Sequence, residues 1–559
     1  MSTFSRELLD YYLQEVDDLR TFLRAHAEEV RRARPEEPLP LDVADPDVQR
    51  LIEGIAFFSA RTREASTRNV RSAWQRIFQQ YFDYLLSPLP TCGMLRVQPQ
   101  SLTDRLRLPA GTRLLYTFEG GHQGFFQTAA PLNLLPLTVE RVLRLESPVA
   151  GRHRVVIELR LLNLWRGAIG SLDFYLNAFD EYRASLLLQH RLKASLTKVQ
   201  FYPDAEDVQR QDDPRAQARA YACGFSFGTL EPGTPEPETP PPPPTLEALR
   251  RFFHAPERGL YFKVKVPDLT PRRDRCALVL ELDERWPYRE LSPEFFQPLV
   301  VPVENIVRDN AQPLLFDGTR WSHTLLHPQD EHRLEPHTVL GIYRSTKQGA
   351  VPVAPRVLGT HEVGFDLEER LHQGRRRVDL HYEDPQAALI PQLLTADVLW
   401  HQPHLQRIRI VRAVPYARVL QGCHFEPVGD LRLSVESPLR HSLEGLMRVL
   451  SLRMKTRLDK FELHTLLEAL GCFQHGPYQN LHHQLDRVSS QLLPAQQLPN
   501  GGLKLRYQVG FARVDEALRP FLDVFLEQLG VLLAHWVGDE ALEVEVLEAQ
   551  ADDHALGGR

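Results

Sequence analysis

Apolar residues recur three and four positions apart along Val48, Leu51, Ile52, Ile55 and Phe58, and again along Val70, Trp74, Ile77, Phe78, Tyr81 and Leu85. Such spacing lines one face of a helix. Asp45 suits the N-cap, and Pro46 the first helical position, where a missing N–H costs nothing. Pro88 and Pro90 end the pattern. Between the two runs, residues 59–69 are polar and fit either a solvated turn or a thinner part of one long helix. Upstream, Leu9, Val16, Leu23 and Val30 recur every seven residues, with Tyr12, Leu19 and His26 three residues after the first three. That is the narrow a/d seam of a coiled coil, flanked by Leu8, Leu13, Phe22 and Ala27. The seam predicts a helical partner, either the Asp45 helix folded back as a hairpin or a larger bundle that includes it.

Beyond Pro90 the period shortens. Leu95–Val97, Arg105–Leu108, Arg113–Phe118, Val155–Leu164, Leu172–Leu176, Leu260–Val266 and Cys276–Leu282 are strand candidates broken by prolines and glycines. Residues 231–244 form a proline-rich run that cannot build a core and favours an extended spacer. In the last third, Ser437-Pro438 starts a helix carrying Leu439, Leu443, Leu446 and Leu450. Asp459 with Glu462 makes an N-cap pair for another helix, which Gly471 ends. Leu503 to Phe511 alternates as a strand, Pro520 begins a helix apolar on several sides, and Leu542, Val544 and Val546 alternate again. If the two strands are neighbours, a crossover makes them parallel and pairs Lys504 and Arg506 with Glu543 and Glu545.

Several stretches resemble one family. Asp45-Pro46-Asp47-Val48 through Arg50-Leu51-Ile52-Glu53-Gly54 to Phe57, then Leu86 to Pro90, is similar to the N-terminal signature of the TssF family. Tyr11-Tyr12-Leu13-Gln14-Glu15-Val16 resembles its opening helix. Leu108-Pro109-Ala110-Gly111-Thr112, Phe126-Gln127-Thr128-Ala129, Leu172 to Leu176, Leu249 to Glu257 and Pro302-Val303-Glu304-Asn305 match further steps. Arg251 stands where the family pattern has an acid, and Ala255 where it has an aromatic residue. TssF proteins are wedge subunits of the type VI secretion baseplate. The resemblance implies partners: a TssG-like subunit, a second copy of this chain, TssE-like and TssK-like subunits and the spike hub. It also implies a cytoplasmic place at the inner-membrane-docked baseplate, without membrane insertion, and no cofactor. The wedge protein of a phage tail or another contractile injection system is the alternative, and an enzyme of unrecognised type a weaker one.

Composition narrows this further. The chain has 559 residues, net charge −7 and pI near 6.4, so no broad basic field invites nucleic acid. Its 43 prolines, roughly 8% against the usual ~5%, suit short strands and irregular loops. The five cysteines are scattered without a C-x-x-C pair, which suggests neither a disulfide framework nor a zinc knuckle. No phosphate loop, dinucleotide fingerprint, H-E-x-x-H or nucleophile elbow is present. Ser195 with Lys198 matches S-x-x-K without its companion motifs. Gly120-Gly121-His122-Gln123-Gly124 reads as a loop between strands. His401 with His404, and His482 with His483, lack further ligands at metal spacing.

The expected fold class is α+β. It comprises an N-terminal helical region (1–90), a β-rich domain (91–230), the proline-rich linker (231–244), a second β-rich domain (245–436) and a C-terminal α+β unit (437–559). The candidate partner-binding residues are Leu9, Tyr12, Val16, Leu19, Leu23 and Val30 on the first helix, Leu51, Ile55 and Phe58 on the second, and Phe525 and Leu529 near the C-terminus. The last two are chosen because a helix apolar on several sides exceeds what one small sheet can cover.

Overall fold

The structure is a computed structural model that describes residues 6–33, 45–147, 151–209, 219–230, 245–271, 273–286, 288, 291–329, 334–356, 363–372, 375–384, 390–405, 409–416, 420, 422–472, 476–494, 503–512, 514–538 and 541–547. The proline-rich run 231–244 lies outside them. The fold is α+β in two compact units: Met1–Asp83 with Leu439–Leu450, and Tyr84–Pro438 with Ser451–Arg559.

The first unit is built on α1 (Arg6–Ala33) and α2 (Pro46–Leu86), whose last residues, from Tyr84, belong to the second unit. The Asp45 side chain accepts the Asp47 amide at 2.9 Å and its carbonyl accepts from Gln49, so the cap is made as read. The polar stretch 59–69 is helical throughout, and the one break in α2 is at Phe82 (φ −142°, ψ 46°). The Leu439–Leu450 segment joins this unit, with Leu439, Leu446 and Val449 buried. Gln75 Nε2 donates to the Arg440 carbonyl at 3.0 Å. The C-terminal unit expected at 437–559 therefore does not hold as one piece, because Leu439–Leu450 belongs with the N-terminal helices.

In the second unit the two β-rich domains read on either side of the proline run are not separate. Six strands close a barrel in the order Cys92–Pro99, Val300–Glu304, Gln123–Thr128, Arg113–Phe118, Ile410–Pro415 and Cys423–Arg432. An eight-stranded sheet likewise runs Phe296–Pro298, Ser171–Leu176, Tyr261–Lys265, Tyr221–Gly228, Leu196–Tyr202, Arg275–Leu282, His153–Leu161 and Leu137–Glu146. Both take strands from before and after residues 231–244, so that run is not a domain boundary. The physical reason is that alternating apolar faces say which side of a strand is buried and nothing about which strand lies beside it. Gly120 and Gly121, at φ 85° and 82°, make the tight turn of the Arg113–Phe118 and Gln123–Thr128 hairpin, where only glycine adopts both angles freely.

The C-terminal element follows the sequence closely. Leu503–Phe511 and Ala541–Leu547 pair in parallel, with Leu485–Pro494, which the sequence reading passed over, antiparallel on the other side. Lys504 and Arg506 each approach Glu543 at 3.0 Å, and Arg506 lies 3.9 Å from Glu545. These pairs are half-exposed and contribute at most ~1 kcal/mol each. Asp459 and Glu462 form the reciprocal capping box, and Gly471 follows its helix at φ 83°.

Candidate partner-binding surfaces

Within the first unit α1 and α2 form an antiparallel hairpin. Ser59 Oγ donates to Glu15 at 2.8 Å, Arg63 donates to Gln14 at 3.3 Å and Glu15 at 3.4 Å, and the Arg63 guanidinium lies 4.8 Å from the Tyr11 ring centre. Val16 on α1 and Ile52, Ala56 and Ala60 on α2 are buried; the two alanines let the helices approach. Tyr12, Leu19, Leu23 and Val30 are half-buried, and Leu9 and His26 are exposed. The seam is therefore shared between the hairpin and the surface.

A second apolar stripe is left over. At 100° per residue, Leu51 and Phe58 lie roughly opposite the Ala56 row, with Ile55 between. All three are exposed, Phe58 by 70%. A helix that meets one partner needs one stripe, and α2 carries two. Leu9, Leu13 and Phe22 of α1 are exposed as well.

Phe525 and Leu529 do not belong to any such surface. Phe525 is 0% exposed and Leu529 is buried. The Phe525 ring packs 6.5 Å from Phe253 and 6.2 Å from Phe511, while Phe521 on the same helix meets Tyr182 and Tyr478. Trp536 donates to the Lys455 carbonyl at 3.0 Å. Helices Tyr182–Ser195 and Thr245–His254, far away in sequence, and Gly476–Gln484, nearer to it, supply the cover that the small sheet does not. The sequence inference of an outside partner for these two residues is corrected accordingly.

The last turn of α2 and the Leu-x-Pro-Leu-Pro segment that continues it are clamped along their carbonyls. Arg250 Nη1 donates to Tyr84 O at 2.6 Å, Ser437 Oγ to Leu85 O at 2.5 Å and Ser434 Oγ to Leu89 O at 2.8 Å. His337 Nε2 meets Pro88 O at 2.7 Å, and His254 Nε2 meets Pro90 O at 3.0 Å. A carbonyl can only accept, so His337 carries its proton on Nε2 and its Nδ1 accepts from Thr338 Oγ1 at 2.8 Å. Burial, with the Arg376 guanidinium nearby, pulls the His337 pKa down to about 3. The unfolded chain takes up a proton near pH 6.5 that the fold refuses until about pH 3, so stability is lost as pH falls below 6.5. Between pH 7 and pH 5 this residue should cost about 2 kcal/mol. Urea unfolding at both pH values should show His337→Gln losing less than the parent by that amount; equal losses would exclude the histidine as the cause.

The remaining polar candidates are structural. Glu304, buried at the end of a barrel strand, lies 3.3 Å from Arg251 and 3.4 Å from Arg258. Burial alone would raise its pKa, but the two guanidiniums outweigh that and hold it below the usual carboxylate value. Ser195 is buried and donates to Arg191 O at 2.7 Å, while Lys198 is exposed on the following strand. His404 bonds Glu335 at 3.1 Å and His482 bonds His464 at 2.9 Å. Among the described residues no group of three or more His, Cys, Asp or Glu side chains is placed to hold a metal. An open groove of about 1110 Å³ in the second unit is lined both by charged residues, among them Arg412, Arg432, Glu257 and Asp430, and by apolar ones such as Val411, Phe425 and Leu433. No helix among the described residues is long and apolar enough to cross a membrane.

Comparison with known proteins adds the following. The family described as "Type VI secretion system, TssF" matches residues 4–390. "Type VI secretion system component TssF1" of Pseudomonas aeruginosa is 26% identical over 150 residues, which span 26% of this chain and 24% of that relative's length. Two solved structures share the fold. A chain of the TssK-TssF-TssG baseplate subcomplex aligns with TM-score 0.68 at 17% identity, covering 91% of this chain and all of that one. A chain of the type VI secretion baseplate complex aligns with TM-score 0.57 at 16% identity, covering 96% of each.

Proposed function

The chain belongs to the TssF family of the type VI secretion system, and from that premise we propose that it is a structural subunit of the baseplate, held in a wedge by a TssG-like subunit and a second copy of itself. TssK-like and TssE-like subunits and the spike hub are its further neighbours. Its place is the cytoplasmic side of a docked baseplate, and its work is done by contact, with no reaction of its own.

The second stripe of α2 carries this reading. Leu51, Ile55 and Phe58 are large, apolar and exposed, with Leu51 and Phe58 roughly opposite the buried Ala56 row. Covering each would stabilise a complex by roughly 1.5–3 kcal/mol. Leu9, Tyr12, Leu19, Leu23 and Val30 of α1 offer a separate, partly open seam, while Val16 is buried in the hairpin.

Co-expression with TssG-like and TssK-like neighbours, followed by native mass measurement, tests the proposal. A Leu51→Ser, Ile55→Ser, Phe58→Ser variant should keep its unfolding midpoint nearly unchanged, since exposed substitutions move stability by about 0.5 kcal/mol or less each. It should nonetheless lose the complexes. A variant that assembles as fully as the parent would remove α2 from the interface.

A further inference from the structure

The C-terminal sheet has the order Leu485–Pro494, Leu503–Phe511, Ala541–Leu547, so among the described residues nothing pairs with the outer side of Ala541–Leu547. An edge strand shows a row of unpaired N–H and C=O groups that another strand can fill. Folded proteins guard such rows with short strands, prolines, bulges, basic residues or a covering segment. The other described open edges of five residues or more are guarded in one of these ways. Gly349–Val353 contains Pro352. Leu137–Glu146 shifts register between Val139 and Arg141 and carries Arg144. Leu485–Pro494 shifts between Leu485 and Arg487 and ends in proline. Gly364–His372 is covered in part, since Phe365 donates to the Ala354 carbonyl at 3.2 Å and accepts from Arg356 at 2.8 Å.

Ala541–Leu547 has none of these guards. It is 7 residues long, pairs with Leu503–Phe511 without a register shift, and holds neither proline nor a basic residue. Its apolar face is also unfinished. Leu505, Tyr507 and Val509 on the middle strand are buried, whereas their partners Leu542 and Val544 are half-buried and Val546 is 38% exposed. The apolar layer therefore runs past the last strand. On the opposite face stand Glu543, held by Lys504 and Arg506, and Glu545, which accepts from Gln508 at 3.0 Å.

We infer that this edge is a strand-addition site for an extended segment of another polypeptide, apolar at alternate positions and basic between them. An extended backbone fills the open row of donors and acceptors. Its apolar residues continue the layer of Leu542, Val544 and Val546. Its basic residues come to lie beside Glu543 and Glu545, where opposite charges favour pairing and like charges oppose it. Lys504 and Arg506 offset part of that charge from the other side, so the carboxylates set the preference and the backbone supplies the binding. A second copy of this chain is disfavoured by the same rule. A two-fold pairing runs antiparallel, and centred on Val544 it sets Glu543 of one copy against Glu545 of the other. Centred on either glutamate, it sets that residue against itself. The chain's own residues 548–559 are poor strand formers, with Asp552 and Asp553 and no β-branched or aromatic residue. The two carboxylates thus turn away acidic strands and admit basic ones.

Amide hydrogen exchange of the full chain, alone and with a synthetic peptide of alternating valine and lysine, tests the site. Every other amide of Ala541–Leu547 should exchange quickly in the free protein and slow by about tenfold or more with the peptide present. Leu485–Pro494 should stay unchanged. The matching valine–glutamate peptide should bind about tenfold weaker, the value of two cross-strand charge pairs. Val546→Lys sets an inward-pointing charge at the edge on a residue already partly exposed, so it should keep the melting temperature nearly unchanged and abolish the protection. Glu545→Lys should narrow the gap between the two peptides. Equal protection from both peptides, protection at Leu485–Pro494 instead, or no protection at all would overturn the inference. Protection of Ala541–Leu547 that rises with protein concentration alone would put a second copy on the edge and overturn the occupant. None of these measurements involves α2, so a failure here leaves the baseplate proposal standing.

Discussion

Replacing Glu304 by Gln is expected to lower the unfolding free energy by about 3–5 kcal/mol, because it leaves two guanidiniums beside a site without its charge. Arg258 is the more exposed to the loss, since Arg251 keeps Glu247 at 2.6 Å. The effect has a pH signature. The folded pKa of Glu304 lies below its ordinary value of 4.5, so the stabilisation is complete above pH 4.5 and fades as pH falls through the folded value. Urea midpoints of parent and Glu304→Gln should therefore differ most at neutrality and approach each other as pH falls through the folded value. Arg251→Glu, which restores the acid of the family pattern, is expected to be worse still, for it sets a third carboxylate against Glu247 and Glu304. A neutral-pH midpoint for Glu304→Gln within error of the parent would show that the cluster is solvated.

The Arg251 case shows what the sequence could and could not say. Its departure from the family pattern was legible, and the reason was not, because Glu304 lies 53 positions away on a barrel strand. Local signals read through well. Asp45, the Asp459–Glu462 box, Gly471 and the parallel pairing of Leu503–Phe511 with Ala541–Leu547 all rest on contacts between near neighbours or on one crossover. Pairings across the chain did not read through. Strand alternation gives burial without partner, so the joining of residues 92–128 with 300–304 and 410–432 in one barrel left no trace in the pattern. The α1 seam was ambiguous for a related reason: a heptad asks for a helix without naming whose, and both the hairpin and an outside partner answer it. The pattern Val155–Leu164 reads as one strand, whereas the strand stops at Leu161, since an αL leucine has no sequence signature.

The same limit explains the C-terminal helix, and it fixes the sign of the last prediction. A helix apolar on several sides needs several neighbours, and the small sheet next to it offers one. The pattern alone points to another chain for the missing cover, whereas Phe253, Tyr478 and Tyr182 of this chain provide it. Phe525→Ala should then act on folding, at about 3–5 kcal/mol for a fully buried aromatic whose cavity cannot refill. Leu529→Ala should cost about 2–5 kcal/mol by the same mechanism. Both losses should appear in the unfolding midpoint of the isolated protein. Complexes formed by whatever fraction stays folded should retain the parent's affinity, since neither side chain reaches the surface. The opposite pattern, an unchanged midpoint with weakened assembly, would mean that this helix opens to meet a partner and that the closed packing seen here is not the assembled state.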